Sequence, residues 1–116
     1  MIDVEFLRAW VWAFVFTQVV EIPIYAYALR VSLPIAFGAS ALTHPIVWFG
    51  FFHPIFDDVP YWPRVIAAEH FAWLAEAAYL HFGFKIKPAR ALLWALIANA
   101  ASVLLGFASR AWLGLP

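Results

Sequence analysis

Four apolar runs, each long enough to cross the hydrocarbon core of a bilayer, follow one another along this chain with only short connectors between them. About 20 apolar residues rising 1.5 Å each span a core of roughly 30 Å, so runs of this length predict transmembrane helices. They cover residues 6–29, 33–52, 64–84 and 89–113. The expected fold is all-α: a polytopic bundle of four transmembrane helices forming a single domain over residues 1–116. Strands are not expected, because barrel strands are short and alternate polar with apolar residues, and these runs do not.

Composition points the same way. Of the 116 residues 66% are hydrophobic and 12% are charged, whereas a soluble domain carries about 25% charged residues. A soluble fold of this length could not hide so much apolar surface. Seven basic residues balance seven acidic ones, leaving no basic patch to neutralise phosphates, so nucleic acid is not an expected partner. The absence of cysteine excludes disulfides, thiolate metal sites, iron–sulfur clusters and cysteine nucleophiles. No cofactor is specified. Asp3 and Glu5 stand where a cleavable signal would be basic, and the run that follows is long and rich in tryptophan, so it reads as a retained helix.

The punctuation fits four helices. Pro34 and Pro88 stand where helices begin, a position that tolerates a missing N–H. Ser32 is placed to cap the second helix. Pro60 and Pro63 frame the turn before the third, and Gly83 lies near that helix's end.

Orientation follows from the basic flanks. Arg30, Lys85, Lys87 and Arg90 fall in the first and third connectors, with no acid among them. Arg8, Arg64 and Arg110 fall at the other end, together with Asp3, Glu5, Asp57 and Asp58. The expected placement is a plasma membrane, of the bacterial inner type, with both termini outside. Trp10, Trp12, Trp62 and Trp112 would then lie at the outer interface, where amphipathic rings settle.

Inside the runs the exceptions stand out. Glu21, Glu69 and Glu76 have no lysine or arginine beside them in mid-run. A bare carboxylate in hydrocarbon is costly, so each needs a proton, a partner or a bound cation. Counting inward from the basic ends, Glu21, His44, Glu76 and Asn99 all fall roughly 12–17 Å deep, near the midplane. One polar group from each helix at a common depth predicts a shared polar centre. Gln18, Glu21 and Tyr25 share a face of the first helix, and Glu69, Trp73 and Glu76 share a face of the third, with Tyr79 one turn beyond. Ser40 lies one turn before His44. Asn99, Ser102, Gly106 and Ser109 make a stripe of small and polar residues on the fourth helix, of the kind that lets helices approach closely.

Two mid-helix prolines add to this. Pro23 follows Glu21 by two positions and Pro45 directly follows His44. Each frees a carbonyl one turn back, those of Val19 and Ala41, and bends its helix.

The candidate ion- or proton-binding residues are therefore Glu21, His44, Glu76, Asn99, Glu69, Gln18 and Tyr79. A metal site could draw on Glu21, His44, Glu69, His70 and Glu76, with His44, His70 and Glu69 as the candidate ligands, since two carboxylates with a histidine suit iron, manganese or zinc. Adjacent Glu69 and His70 diverge by about 100° on a helix, and the Glu-x-x-His spacing of di-iron bundles is missing. His70 and His81 stand about 16 Å apart along a helix and cannot share a metal. His53 with Asp57 and Asp58 reads as a solvated loop. No nucleophilic triad motif is present, and no catalytic residue is assigned.

Three functions are compatible with this pattern. The first is a membrane protein that binds or conducts protons or a small cation through Glu21 and Glu76, with His44 as relay and Asn99 as orienting group. The second is a non-catalytic scaffold or accessory subunit of a larger membrane complex. The third is an intramembrane enzyme acting on a lipid. The expected partners are the lipid bilayer and either further copies of the chain or other subunits of a membrane assembly.

Overall fold

The computed structural model describes residues 2–114, and these are helical almost throughout, with no strand among them. Helix α1 runs Val4–Leu29. Helix α2 runs Leu33–Ile46 and continues through a π-helical turn, Val47–Phe51. A short 3-10 turn, Pro54–Phe56, leads to α3, Tyr61–Ala78, which ends in a second π-helical turn, Tyr79–Gly83. Helix α4 runs Pro88–Leu113.

The helix ends follow local chemistry. Asp3 caps α1 by accepting the Phe6 N–H at 2.8 Å, which satisfies one of the orphan donors of the first turn. Arg30 ends α1 in the left-handed conformation at φ 56°. The Arg90 guanidinium crosses from α4 to donate to the Ala28 carbonyl at 2.8 Å, satisfying an acceptor of the last turn. Ser32 caps α2, Pro34 and Pro88 lie in first turns, and Gly114 closes α4 at φ 67°. The π-helical turn of α2 begins two residues after Pro45. A proline cannot supply its own N–H and crowds the carbonyl four residues back, and widened turns are one way a helix absorbs that.

The helices form a ring. α1 packs on α2 and α4, and α3 packs on α4 and α2, so α1 and α3 are diagonal. Alanines make the closest approaches: Ala36, Ala39, Ala68, Ala72, Ala91, Ala95 and Ala98 are buried. Small side chains let backbones approach, which gives dispersion contact where lipid would leave no hydrophobic drive between helices.

The distribution of polarity is inverted relative to a soluble protein. The buried set includes Gln18, Glu21, Ser40, Thr43, Glu76 and Asn99, while Val15, Val19, Leu93, Leu104 and Leu105 face outward. Val19 is 67% exposed two positions from Glu21, which is 1% exposed. In water that arrangement would leave a large apolar surface bare. Three helices, Val4–Leu29, Leu33–Phe51 and Pro88–Leu113, are long and apolar enough to cross a membrane. The sequence reading expects four. Helix α3 falls short of that measure because Arg64, Glu69, His70 and Glu76 all lie within its 18 residues.

Candidate functional site

At mid-bundle each helix turns one stripe inward. On α1 the stripe is Gln18, Glu21, Tyr25 and Leu29. On α2 it is Ala36, Ala39, Ser40 and Thr43. On α3 it includes Ala68, Ala72 and Glu76, and on α4 Ala91, Ala95, Ala98 and Asn99. Glu21 and Glu76, from the diagonal helices, meet where these stripes converge, with their carboxyl groups in hydrogen-bonding reach of each other.

Hydroxyl groups surround the pair. Ser40 donates to Glu21 Oε1 at 2.8 Å and Ser102 donates to Glu21 Oε2 at 2.7 Å. Tyr25 donates to Glu76 Oε1 at 2.6 Å and Thr43 donates to Glu76 Oε2 at 2.8 Å. All four carboxyl oxygens are thus engaged, and all four helices contribute. Neutral hydroxyls can hold a carboxylate or a carboxylic acid, because each O–H can both donate and accept. Among the described residues the ion pairs are Arg8–Glu5 and Arg64–Asp57, both remote from this centre, so no cationic side chain compensates Glu21, Glu69 or Glu76.

Above the pair lies a cavity of about 440 Å³ that runs toward the end of the bundle carrying both termini. Glu21, Glu76, Thr43 and Asn99 form its floor, Glu69 sits higher on its α3 wall, and Tyr61, Arg64 and Arg110 stand at its mouth. The space exists because small residues face inward there: Ala13 and Thr17 on α1, Gly106 and Ser109 on α4. Tyr25, Leu29, Ala77, Leu80, Ala91 and Ala95 pack into the larger of two apolar clusters and close the basic end.

Several expected site residues make no hydrogen bond to the carboxyl pair, although His44 and Asn99 border the same cavity. His44 makes no hydrogen bond to either carboxyl group. Its ring lies among Trp10, Phe14 and Trp48 at centroid distances of 6.4, 5.4 and 6.2 Å, and its buried Nδ1 has no partner. The neighbouring Thr43 points at Glu76 instead, and one residue is a 100° turn of the helix. Asn99 does not orient the carboxyls: its Nδ2 donates to Ala95 O at 2.8 Å within its own helix, and Ser102, one turn on, makes the bond expected of it.

Gln18 donates to Phe37 O at 3.3 Å and ties α1 to α2 outside the pair. Tyr79 donates to Ile35 O at 3.0 Å, over Gly38, and does not touch Glu76. The metal reading fails for geometric reasons. His70 is exposed with its Nδ1 2.8 Å from Ile66 O, His44 is boxed by aromatic rings, and no group of three or more His, Asp or Glu side chains among the described residues can hold a metal ion. His53 closes its own turn by accepting the Ile55 N–H at 3.1 Å. Trp10 is half-buried against Phe14 and Phe49.

Thr43 is the site residue that sequence reasoning missed. Its signal is its position three residues after Ser40, on the same helical face, obscured by the ionisable His44 beside it. Arg64, read only as a flanking charge, turns out to line the cavity. Compared with known protein families, with curated protein sequences and with solved structures, the chain matches none.

Proposed function

We propose that the chain is an integral membrane four-helix bundle that binds a proton or a small monovalent cation between Glu21 and Glu76, loaded from the end that carries both termini. One observation carries this reading: two carboxyl groups in contact, each oxygen on a hydroxyl, with no cationic side chain near them. Two adjacent carboxylates cannot both stay bare in a low-dielectric interior, so the pair shares a proton or binds a cation. Intramembrane ionisable residues facing a bundle interior mark such sites.

Membrane placement is supported by the inverted polarity and by a long dimension of 39 Å, enough for a hydrocarbon core of roughly 30 Å. In that frame α3 is the fourth span, tolerated because its carboxyls face the interior, and its Arg64 lies at the headgroup level. The basic connectors with Arg30, Lys85, Lys87 and Arg90 lie in the cytoplasm and both termini outside.

The test is labelling by a lipid-soluble carbodiimide, which reacts with protonated carboxyl groups, on the protein in phosphatidylcholine liposomes. The expected adduct lies on Glu76 or Glu21 and disappears in the double variant Glu21→Gln/Glu76→Gln. Protection by sodium or lithium ions at constant pH assigns a cation, and protection only by raising pH assigns a proton. An adduct confined to Glu5, Asp57 or Asp58 removes the proposal.

A second reading is favoured by the way the cradle joins all four helices. A hydroxyl–carboxyl layer of that kind specifies helix pairing, as an accessory subunit or scaffold requires. In that case Glu76→Gln keeps the fold and any partner while abolishing labelling, with no loss of the larger assembly's activity.

A further inference from the structure

The cavity's mouth is built differently from its floor. Arg64, from the first turn of α3, and Arg110, from the last turn of α4, both line it. Each guanidinium lies over a phenyl ring, Arg64 over Phe52 at 5.5 Å and Arg110 over Phe107 at 5.0 Å. Stacking fixes the guanidinium plane and leaves its edge donors free for a planar or tetrahedral anion.

Those donors are poorly used by the protein itself. The Arg64 side chain is 14% exposed, and among the described residues its one ion pair is with Asp57 at 3.8 Å, whose own side chain is 74% exposed. The Nε of Arg64 is buried and has no hydrogen-bond partner among the described residues. Arg110 has no ion pair among the described residues. A buried, unpartnered donor on a charged group is costly, so its place in a native structure calls for an acceptor. Beneath the arginines the walls carry the apolar residues Phe16, Val65, Val103 and Phe107, interrupted by Glu69 on α3, and Asp57 lines the cavity beside Arg64. Trp62, which packs on Phe107 at 5.6 Å, and Trp112 are exposed beside them, as rings at a headgroup level are.

We propose that Arg64 and Arg110 form a phosphate-binding mouth to this cavity, with the apolar walls below receiving the chain of an anionic amphiphile. Guanidinium forks match phosphate oxygens bidentately, and a volume of about 440 Å³ lies within the roughly 300–1,000 Å³ of small-molecule sites. The phosphate is supplied by a phospholipid head group or as the free ion. The site rests on the membrane placement proposed above and not on the chemistry of the carboxyl pair. It bears on that pair nonetheless: Arg110 and the Arg64–Asp57 pair stand at the mouth above the carboxyls, and a bound phosphate offsets the arginine charge that an incoming cation meets there.

Native mass spectrometry of the full chain in detergent tests this, with phosphatidylglycerol and phosphatidylcholine offered at equal concentration. The expected result is about tenfold preference for phosphatidylglycerol, the factor that one charge-assisted contact supplies. Arg64→Gln and Arg110→Gln each reduce that preference, and together they abolish it. Arg8→Gln, an exposed arginine at the same end paired with Glu5 and outside the cavity, leaves it unchanged. Displacement by millimolar inorganic phosphate assigns the site to the phosphate alone, and retention assigns it to the phosphate with its chain. Should Arg64→Gln not fold, the exposed Arg110 carries the test, with helix content measured alongside. Equal occupancy by the two lipids, or an Arg8→Gln effect as large as that of Arg110→Gln, overturns the proposal. Carbodiimide labelling of Glu76 in the arginine variants separates its failure from failure of the carboxyl-pair reading.

Discussion

Tyr25 reaches across the diagonal of the bundle, from α1 to α3, and donates its hydroxyl to Glu76 at 2.6 Å while itself being fully buried. Because α1 and α3 hardly touch otherwise, this bond and the contact between Glu21 and Glu76 are what couple the two helices. Tyr25 also sits at the top of the apolar cluster that closes the basic end. It therefore belongs both to the carboxyl centre and to the seal beneath it.

Tyr25→Phe and Glu76→Gln should be coupled. Interhelical hydrogen bonds in membranes measure about 0.6–2 kcal/mol, so a double-mutant cycle on unfolding in detergent should give a coupling of that size. A coupling near zero would show that the bond contributes nothing to the pairing of α1 with α3.

Ser102→Ala should matter more than Asn99→Ala for the carboxyl pair. The first removes a donor from Glu21 and should cost about 1–3 kcal/mol, as a buried acceptor left unpaired does. The second removes an amide bonded only within its own helix, so carbodiimide labelling of the pair should be unchanged. Equal effects of both on labelling would contradict the geometry described.

His44→Phe should be tolerated. The ring sits among Trp10, Phe14 and Trp48, and phenylalanine fills that space without the unpartnered Nδ1. The unfolding midpoint should stay or rise, and Glu76 should still be labelled. Loss of labelling in this variant would restore His44 to the proton path.

Gly38→Ala should destabilise the bundle through Tyr79. A methyl at position 38 would collide with the Tyr79 hydroxyl, displacing it from Ile35 O. Overpacking costs about 1–3 kcal/mol. Adding Tyr79→Phe removes the colliding oxygen and should recover most of the loss, read as thermal midpoints of the three variants. No recovery would place the strain elsewhere.

Depth was legible in the sequence and rotation was not. Counting residues from the basic connectors put Glu21 and Glu76 at one level, because helical rise is nearly constant. Which neighbour faces inward depends on helix rotation, and apolar residues surround these helices on every side, so periodicity gives little help. Hence His44 and Asn99, which border the same cavity, drew the eye from Thr43 and Ser102, whose hydroxyls make the bonds to the carboxyls. Hydroxyl residues carry a weak signal because they are common in membrane helices and satisfy themselves on their own backbone. The glutamates carry a strong one because hydrocarbon makes them conspicuous. The cavity was not legible at all, since it is defined by the small residues Ala13, Thr17 and Gly106, whose meaning appears only when the helices are assembled.

The packing of Tyr25, Leu29, Leu80 and Ala91 beneath the carboxyls closes the chamber on the side of the basic connectors. If the pair binds an ion as proposed, the packed side makes the site a store that faces the compartment at the other end. Tyr25, shared by the carboxyl cradle and the apolar seal, is the side chain through which a change at the pair would reach that seal.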